Sequence, residues 1–312
     1  MEGKRSGRQL LGISLRGLAM GAADVIPGVS GGTIAFITGI YEELISSISN
    51  VNLKALKKLK NEGFSSFWKH VNGNFFAALF SGIVISILTL SRVVTFLLAE
   101  YPVLVWSFFF GLIIASTLII LKTVEKWNGM NVIGLLVGTV IAGYISTIHV
   151  TTSGDELWYI FLSGAIAICA MILPGISGAF ILVLMGTYGI VLQGLKEMDI
   201  VLIGIFLMGC LVGILSFSHL LKYLFSNFKS LVLAILSGFL IGSLWKIWPW
   251  KNPIGDAPIV VHSNGKEDWM EVNVPPGDFL GDPQVLNVVL LAIAGFLLVY
   301  VLDKIGSRAQ NK

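Results

Sequence analysis

The chain has 312 residues, of which 55% are hydrophobic and only 12% charged, whereas about 25% of residues are charged in soluble domains. Long apolar runs recur, and several approach the roughly 20 residues that a helix needs to span a bilayer. This composition excludes a soluble globular domain and predicts an all-α polytopic membrane protein, while the formal net charge of +3 is less informative than the positions of the charges.

The first apolar stretch is interrupted by DVIPGVSGGT at residues 24–33. A proline ends a helix, and glycines permit unusual backbone dihedrals and close approach. We therefore predict a re-entrant broken-helix hairpin over about 10–48, with its break at Pro27 and Gly28. Each arm is also long enough to be a full span, so that alternative stays open.

A basic linker follows at 50–72, with lysines at 54, 57, 58, 60 and 69. Its amphipathic pattern predicts a segment on the inner membrane surface. Spans at about 74–98, 103–122 and 130–148 then complete a first unit, residues 1–150.

A second unit, residues 151–312, has the same plan. It begins with a predicted hairpin over about 157–195, where LPGISGAF (173–180) places the break at Pro174 and Gly175. Spans at about 200–221, 230–248 and 285–303 follow. The acidic segment 249–284 is predicted to be an external loop.

Three aligned blocks indicate that the second unit is a duplicate of the first. IPGVSGGTIAFITGIYEELI (from residue 26) and LPGISGAFILVLMGTYGIVL (from residue 173) share seven identical positions, among them the Pro-Gly-x-Ser-Gly core. SGIVISILTLS (81–91) then matches MGCLVGILSFS (208–218), and GLIIAS (111–116) matches GFLIGS (238–243). Basic loops stay on the cytoplasmic side, which predicts that both termini are cytoplasmic. A hairpin plus three spans makes the repeats inverted, the plan of many secondary transporters.

Each break offers an anion site at mid-membrane depth, because the helix that follows it presents free N–H groups and a positive dipole end. Irregular backbone is tolerated at that depth only where it is buried in protein or lines a cavity. Close helix packing through glycine is the alternative explanation. The predicted substrate-binding residues of the two breaks are Ser30, Gly31, Gly32, Thr33, Ser177 and Gly178.

Four ionisable residues in apolar segments are further candidates, because such groups are rare in membranes without a function. Asp24 is predicted to carry a coupling proton, or else to act as a cap or structural pair. Arg16 is a phosphate ligand or an interfacial charge. Arg92 is predicted to bind phosphate, and His219, its counterpart in the second unit, is a weaker coupling candidate.

The sequence lacks the common motifs for binding nucleotides and metal ions. It contains no Walker motif, no HExxH and no cysteine ligand cluster. We therefore predict neither an ATP-driven pump nor an enzyme, with no catalytic residues, no cofactor, no metal and no nucleic-acid partner.

The stretch RGLAMGAADVIPGVSGGTIAFITGIYEELI (16–45) resembles the signature of the bacterial polyprenyl-phosphate translocase family PopT. The resemblance implies a transporter that returns undecaprenyl phosphate from the outer to the inner leaflet of the bacterial cytoplasmic membrane. Because the membrane potential opposes inward movement of an anionic lipid, we also expect coupling to an ion, either protons or sodium. The polyprenyl tail rests on this resemblance alone. The matching signature positions are Arg16, Asp24, Pro27, Gly28, Ser30, Gly31, Gly32 and Thr33.

Two other functions remain open from the residues. Undecaprenyl-diphosphate phosphatases share inverted repeats and a PGxSRS-like motif, but Gly31 and Gly178 occupy the arginine position here, and no paired glutamates precede a break. The dipole argument also fits a small-anion transporter or channel.

Overall fold

The computed structural model describes residues 5–24, 30–147, 156–255, 260–261 and 267–310. The predicted break residues Pro27 and Gly28 lie outside the described residues. The first half of the chain contains α1 (Gly7–Ala23), α2 (Gly31–Ile37), α3 (Tyr41–Ser49), α4 (Leu53–Glu62), α5 (Phe64–His70), α6 (Gly73–Leu88), α7 (Leu90–Glu100), α8 (Pro102–Thr123) and α9 (Gly129–Thr147). The second half contains α10 (Leu157–Ile172), α11 (Gly178–Leu184), α12 (Tyr188–Glu197), α13 (Ile200–Ser243) and α14 (Val285–Gln310).

The helices confirm a multi-pass helical membrane protein. Among the described residues, α8, α9 and α13 are each long and apolar enough to cross a membrane. Two bent helix pairs pass the same test, α5 with α6 at 71° and α11 with α12 at 106°. α10 and the first part of α14 are shorter apolar helices.

The second arm of each hairpin is shorter than predicted. α2 and α11 each contain only seven residues, and a turn then leads into α3 or α12. The turns contain Gly39 at φ 74° and Gly186 at φ 67°, a left-handed conformation that glycine adopts without steric cost. These two glycines occupy aligned positions of the duplicated sequence, so both arms bend at the same place.

One predicted span differs from the structure, whereas two others meet at a kink in the predicted place. The span 74–98 is divided at Thr89, whose hydroxyl donates to the Ile85 carbonyl oxygen at 2.6 Å, and such back-bonding bends helices. The predicted spans 200–221 and 230–248 correspond to the two parts of α13, which meet at a kink where Phe228 has a non-helical backbone (φ −136°, ψ 40°).

Glycines allow the helices to approach at backbone distance. A Cβ on Gly17 of α1 would overlap the carbonyl oxygen of Leu79 on α6. A Cβ on Gly164 of α10 would similarly meet the Phe206 carbonyl oxygen on α13, at 2.5 Å. The first helix of each hairpin therefore packs against a later helix of the same half, α1 on α6 and α10 on α13.

The last helix of each half packs on the opposite half. Gly111 of α8 crosses the backbone of α14 at Ala292, and Gly238 of α13 crosses the backbone of α9 at Leu135. These two crossings bring the halves of the chain together.

The segment 249–284 contains the only strands among the described residues. β1 (Lys251–Ile254) pairs antiparallel with β4 (Met270–Asn273), and β2 (Val260–Val261) pairs with β3 (Glu267–Asp268). Trp250 Nε1 donates to the Pro283 carbonyl oxygen at 2.8 Å, which ties the segment to the start of α14.

Candidate functional site

The two hairpin breaks touch each other directly. The backbone N–H of Gly175 donates to Thr33 Oγ1 at 2.9 Å, and Ser30 Oγ donates to the Leu173 carbonyl oxygen at 3.3 Å. Ser30 and Thr33 are 1% and 0% exposed. Residues about 140 positions apart thus form one buried polar cluster, which we call the tip cluster: Asp24, Ser30–Thr33 and Leu173–Gly178.

The local sequence explains why both breaks present the same groups. Ser30 is the N-cap of α2, and its Oγ accepts from the Thr33 N–H at 3.2 Å. Ser177 is the N-cap of α11, and its Oγ accepts from the Phe180 N–H at 3.4 Å. Serine is a preferred N-cap because its oxygen satisfies a backbone donor that the first turn leaves free.

Glycine is required where the breaks meet. A Cβ on Gly32 would lie 2.7 Å from the Met171 carbonyl oxygen and still closer to that of Ile172. Both atoms belong to backbone and cannot rotate away. Gly32 therefore acts in this structure by permitting contact between the breaks.

The second break has the geometry that its sequence predicts. α10 ends at Ile172 and α11 begins at Gly178, with Pro174 and Gly175 between them, both buried. Gly175 has φ 85°, a left-handed conformation that glycine adopts without steric cost, which explains why this position is a glycine. A Cβ on Gly178 would lie 2.7 Å from the Ala167 carbonyl oxygen, so Gly178 also permits close packing of α11 on α10.

Asp24 occupies the position at which an anion was predicted. It follows the last residue of α1, and its Oδ1 accepts from the Gly31 N–H at 2.6 Å. A hydrogen bond to a carboxylate is charge-assisted and short, and an anion at a helix N-terminus is stabilised by the dipole. The protein therefore supplies its own carboxylate to the N-terminus of α2 in this conformation.

Arg16 lies at the opposite end of α2. Its Nε donates to the Thr38 carbonyl oxygen at 3.3 Å, where a cation complements the negative end of the helix. Seven helical residues separate this end from Gly31, about 10 Å at 1.5 Å per residue. Arg16 thus holds the two arms of the first hairpin together and does not contact the tip cluster.

Arg92 and His219 are not brought to the tip cluster. Both side chains are exposed on the sides of α7 and α13. His219 Nδ1 lies 2.7 Å from the Leu215 carbonyl oxygen of its own helix. Within the described residues, neither contacts Ser30, Thr33 or Gly175.

The sequence gives no indication of one buried hydroxyl that lies near the tip cluster. Ser86 on α6 is 0% exposed, and its Oγ has no hydrogen-bond partner among the described residues. A Cβ on Gly21 would lie 2.9 Å from the Ser86 Cβ, which places this hydroxyl one helical turn from Asp24. Only the packing of α1 on α6 brings it there.

An apolar cavity of about 760 Å³ lies behind the second break. It is a largely open cavity bordered by α8, α9, the end of α13 and the end of β4, with Phe110, Trp245 and Trp248 in its wall. Gly242 lines it, while the neighbouring Ser243 packs beneath Gly175. Its size lies within the range of small-molecule sites.

The described part of the chain holds no group of three or more His, Cys, Asp or Glu side chains that could bind a metal ion. The polar chemistry of the tip cluster thus consists of backbone N–H groups, hydroxyls and one carboxylate.

Comparison with known proteins shows the family to which this chain belongs. The family described as undecaprenyl phosphate translocase-like matches residues 20–262. A polyprenyl-phosphate transporter of Vibrio cholerae is 42% identical over 299 residues, covering 94% of this chain and 96% of the relative. A polyprenyl-phosphate transporter of Staphylococcus aureus is 31% identical over 255 residues, covering 75% of this chain and 85% of the relative. No solved structure matches the chain significantly. These names describe transporters and not enzymes, as the sequence predicts.

Proposed function

Because the chain belongs to the undecaprenyl phosphate translocase-like family, we propose that it returns undecaprenyl phosphate from the outer to the inner leaflet of the bacterial cytoplasmic membrane. The names of its two relatives support a polyprenyl-phosphate cargo. The direction follows from the use of the carrier, which is left on the outer leaflet after cell-envelope polymers are assembled.

The proposed architecture is an inverted repeat of residues 1–150 and 151–312, with both termini in the cytoplasm. Equivalent helix crossings support it. When the first two aligned blocks are extended toward the N-terminus, Gly17 falls opposite Gly164 and Leu79 opposite Phe206, and these residues form the α1–α6 and α10–α13 crossings. An inverted repeat would bring two breaks from opposite faces to one level.

The observation that carries the proposed mechanism is the contact between the two breaks, with a carboxylate on the Gly31 N–H. We assign the phosphate head group to this place. On arrival it would replace the Asp24 carboxylate, and separation of the breaks would release Thr33 Oγ1 and the Gly175 N–H to the phosphate oxygens. Ser30, Gly32, Ser177 and Gly178 would complete the cradle as caps and close-packing positions.

The cavity behind the second break supports a lipid cargo. An isoprenoid chain needs an apolar path beside the head-group site, and the cavity wall is predominantly aromatic and aliphatic. Gly242 and Ser243 separate it from Gly175 by the thickness of one helix. The tail could therefore occupy the cavity or the surrounding lipid while the head crosses at the tip cluster.

The proposal includes coupling to an ion, protons or sodium. Moving one negative charge inward against the membrane potential costs about 2.3 kcal/mol per 100 mV. A proton on Asp24 would remove the charge that competes with phosphate and would free the Gly31 N–H. His219, on the exposed side of α13, is the weaker coupling candidate.

We assign different roles in transport to Arg16 and Arg92. Arg16 already holds the Thr38 carbonyl, so its contribution is to position the first hairpin. Arg92 lies on the exposed side of α7, and we assign it to the head-group path outside the tip cluster.

The test is transport in proteoliposomes at several pH values, with purified full-length protein and polyprenyl phosphate. Transfer between leaflets is followed by the accessibility of the phosphate to a reagent that cannot cross the membrane. Asp24→Asn should abolish the pH dependence with folding intact, whereas Glu100→Gln, an exposed carboxylate at the end of α7, should keep it.

Each outcome has a distinct meaning. Unchanged pH dependence in Asp24→Asn would remove Asp24 from the coupling step. Absence of transfer by the wild-type protein would overturn the lipid-transport function itself.

A further inference from the structure

A second polar site lies far from the tip cluster, on the face that we assign to the cytoplasm. It is a cavity of about 410 Å³ between the start of α1, helix α3 and the end of α5. Arg5, Glu43, Lys69, His70 and Asn72 line it. We call it the basic pocket.

Both carboxylates of the basic pocket are already paired with cations, one of them outside the lining, which leaves one lysine of the lining without an ion pair among the described residues. Glu43 forms an ion pair with Arg5. Glu42, also in the wall, pairs with Lys229 at 2.7 Å. Lys69 has no ion pair among the described residues, so its charge is not compensated.

Two side-chain nitrogen atoms in the pocket lack hydrogen-bond partners. Arg5 Nη1 and His70 Nε2 are buried atoms without a hydrogen-bond partner in the part of the chain that the structure describes. Buried polar atoms are nearly always paired, and an unpaired one costs about 1–3 kcal/mol. A guanidinium has only donors, so a phosphate oxygen in the pocket would give Arg5 Nη1 an acceptor that the described residues do not supply.

The pocket wall is held in place by a specific side chain. Asn72 Nδ2 donates to Glu43 Oε1 at 2.7 Å and to Ser47 Oγ at 3.0 Å. Its backbone has φ 57°, the left-handed region that asparagine tolerates better than most residues. The conformation turns the chain between α5 and α6 so that Lys69 and His70 face the same space as Arg5.

The surroundings of the pocket fit a membrane surface. α4 and α5, which lead into Lys69, expose large apolar side chains beside their lysines, including Leu53 at 76% and Phe64 at 63%. A basic helix with an exposed apolar side lies in the head-group region of a bilayer. The pocket therefore opens at the depth of lipid phosphates.

We propose that the basic pocket binds a phosphate monoester, the head group of the cargo lipid after it has reached the inner leaflet. Lys69 supplies the uncompensated charge, and Arg5 Nη1 and His70 Nε2 donate to the phosphate oxygens. The identity of the lipid rests on the proposed function; the phosphate chemistry rests on the pocket itself.

Amine footprinting of the wild-type protein tests this directly. Purified full-length protein in phosphate-free buffer is treated with an acetylating reagent, and modification of each lysine is read by mass spectrometry. Lys69 and Lys60 are both exposed, and Lys60 lies outside the pocket, so it is the internal reference. The probes are inorganic phosphate, farnesyl phosphate as a short polyprenyl monophosphate, and farnesol.

We expect farnesyl phosphate to slow acetylation of Lys69 at least about fivefold without changing Lys60, and farnesol to have no effect. His70→Ala should weaken the protection. Protection by farnesyl phosphate but not by inorganic phosphate identifies a lipid head-group site, whereas equal protection by both identifies a general phosphate site.

Unchanged Lys69 acetylation with both phosphates would overturn the pocket proposal, even if leaflet transport occurs. Protection of Lys69 in a protein that does not move polyprenyl phosphate would overturn the proposed function and leave the phosphate site standing. The two failures are therefore distinguishable.

Discussion

Replacing Thr33 by valine tests the contact between the two breaks. Valine keeps the shape of the side chain but removes Oγ1, the acceptor for the Gly175 N–H at 2.9 Å. Both groups are buried, with Thr33 at 0% exposure, and water cannot replace the lost oxygen without opening the cluster. The amide of Gly175 is then left without a partner.

The magnitude follows from that unpaired donor. Leaving a buried N–H unsatisfied costs about 1–3 kcal/mol, and 1.4 kcal/mol corresponds to about a tenfold change in an equilibrium constant. If the breaks separate in the native protein, hydrogen exchange at the Gly175 amide should accelerate roughly 5- to 150-fold in Thr33→Val.

The assay is hydrogen exchange with mass spectrometry on peptides that cover 173–180, combined with unfolding in mixed detergent micelles. Thr33→Ser keeps the hydroxyl and is the matched control. We expect it to retain slow exchange at Gly175 and to lose only the contribution of one methyl group, about 0.8 kcal/mol. Exchange in Thr33→Val equal to that of the wild type would refute the reasoning.

Three further predictions concern other parts of the molecule. Gly209→Ala places a Cβ against a backbone carbonyl oxygen of α10 and should lower the melting temperature, whereas Gly204→Ala, on the open side of the same helix, should not; equal effects would contradict the packing account. Burial lowers the pKa of Lys251 to about 8 from an ordinary 10.5, despite a nearby glutamate, so between these pH values the unfolded chain binds more protons and stability should rise with pH. Lys251→Met should flatten that rise in melting temperature, and a matching rise in the variant would assign it to other groups. In cells depleted of this protein, undecaprenyl phosphate should accumulate on the outer surface; wild type should cure this but Arg92→Ala should not, and full rescue by the variant would remove Arg92 from the phosphate path.

The breaks were predictable because their causes are local. Pro174 and Gly175 act through their own backbone sterics, and Ser177 caps a helix that starts at the next residue. The duplicated motif also predicted which residues of the two halves are equivalent. Gly39 and Gly186, which the alignment pairs, both form the turn after the second arm of their hairpin.

The contacts of the polar residues were less predictable. The sequence suggests that Ser30 and Thr33 offer hydroxyls to an anion, but in the structure they bind the opposite break. The sequence allows Arg16 to be a phosphate ligand, yet in the structure its Nε binds the carbonyl oxygen of Thr38 at the far end of α2. The basic pocket had no signal beyond scattered charges, because Arg5, Glu43 and His70 come from three separate segments.

The sequence by itself determined that the chain is a membrane protein, where its two breaks lie and that its halves resemble each other, because hydropathy, proline and glycine act over a few residues. Only the tertiary structure decided that Asp24 occupies the N-terminus of α2, that the two breaks share hydrogen bonds and that Arg92 is exposed on α7. Those features depend on packing between segments up to about 140 residues apart. At such separations, the sequence shows which residues can donate a hydrogen bond but not which acceptor the fold brings next to each donor.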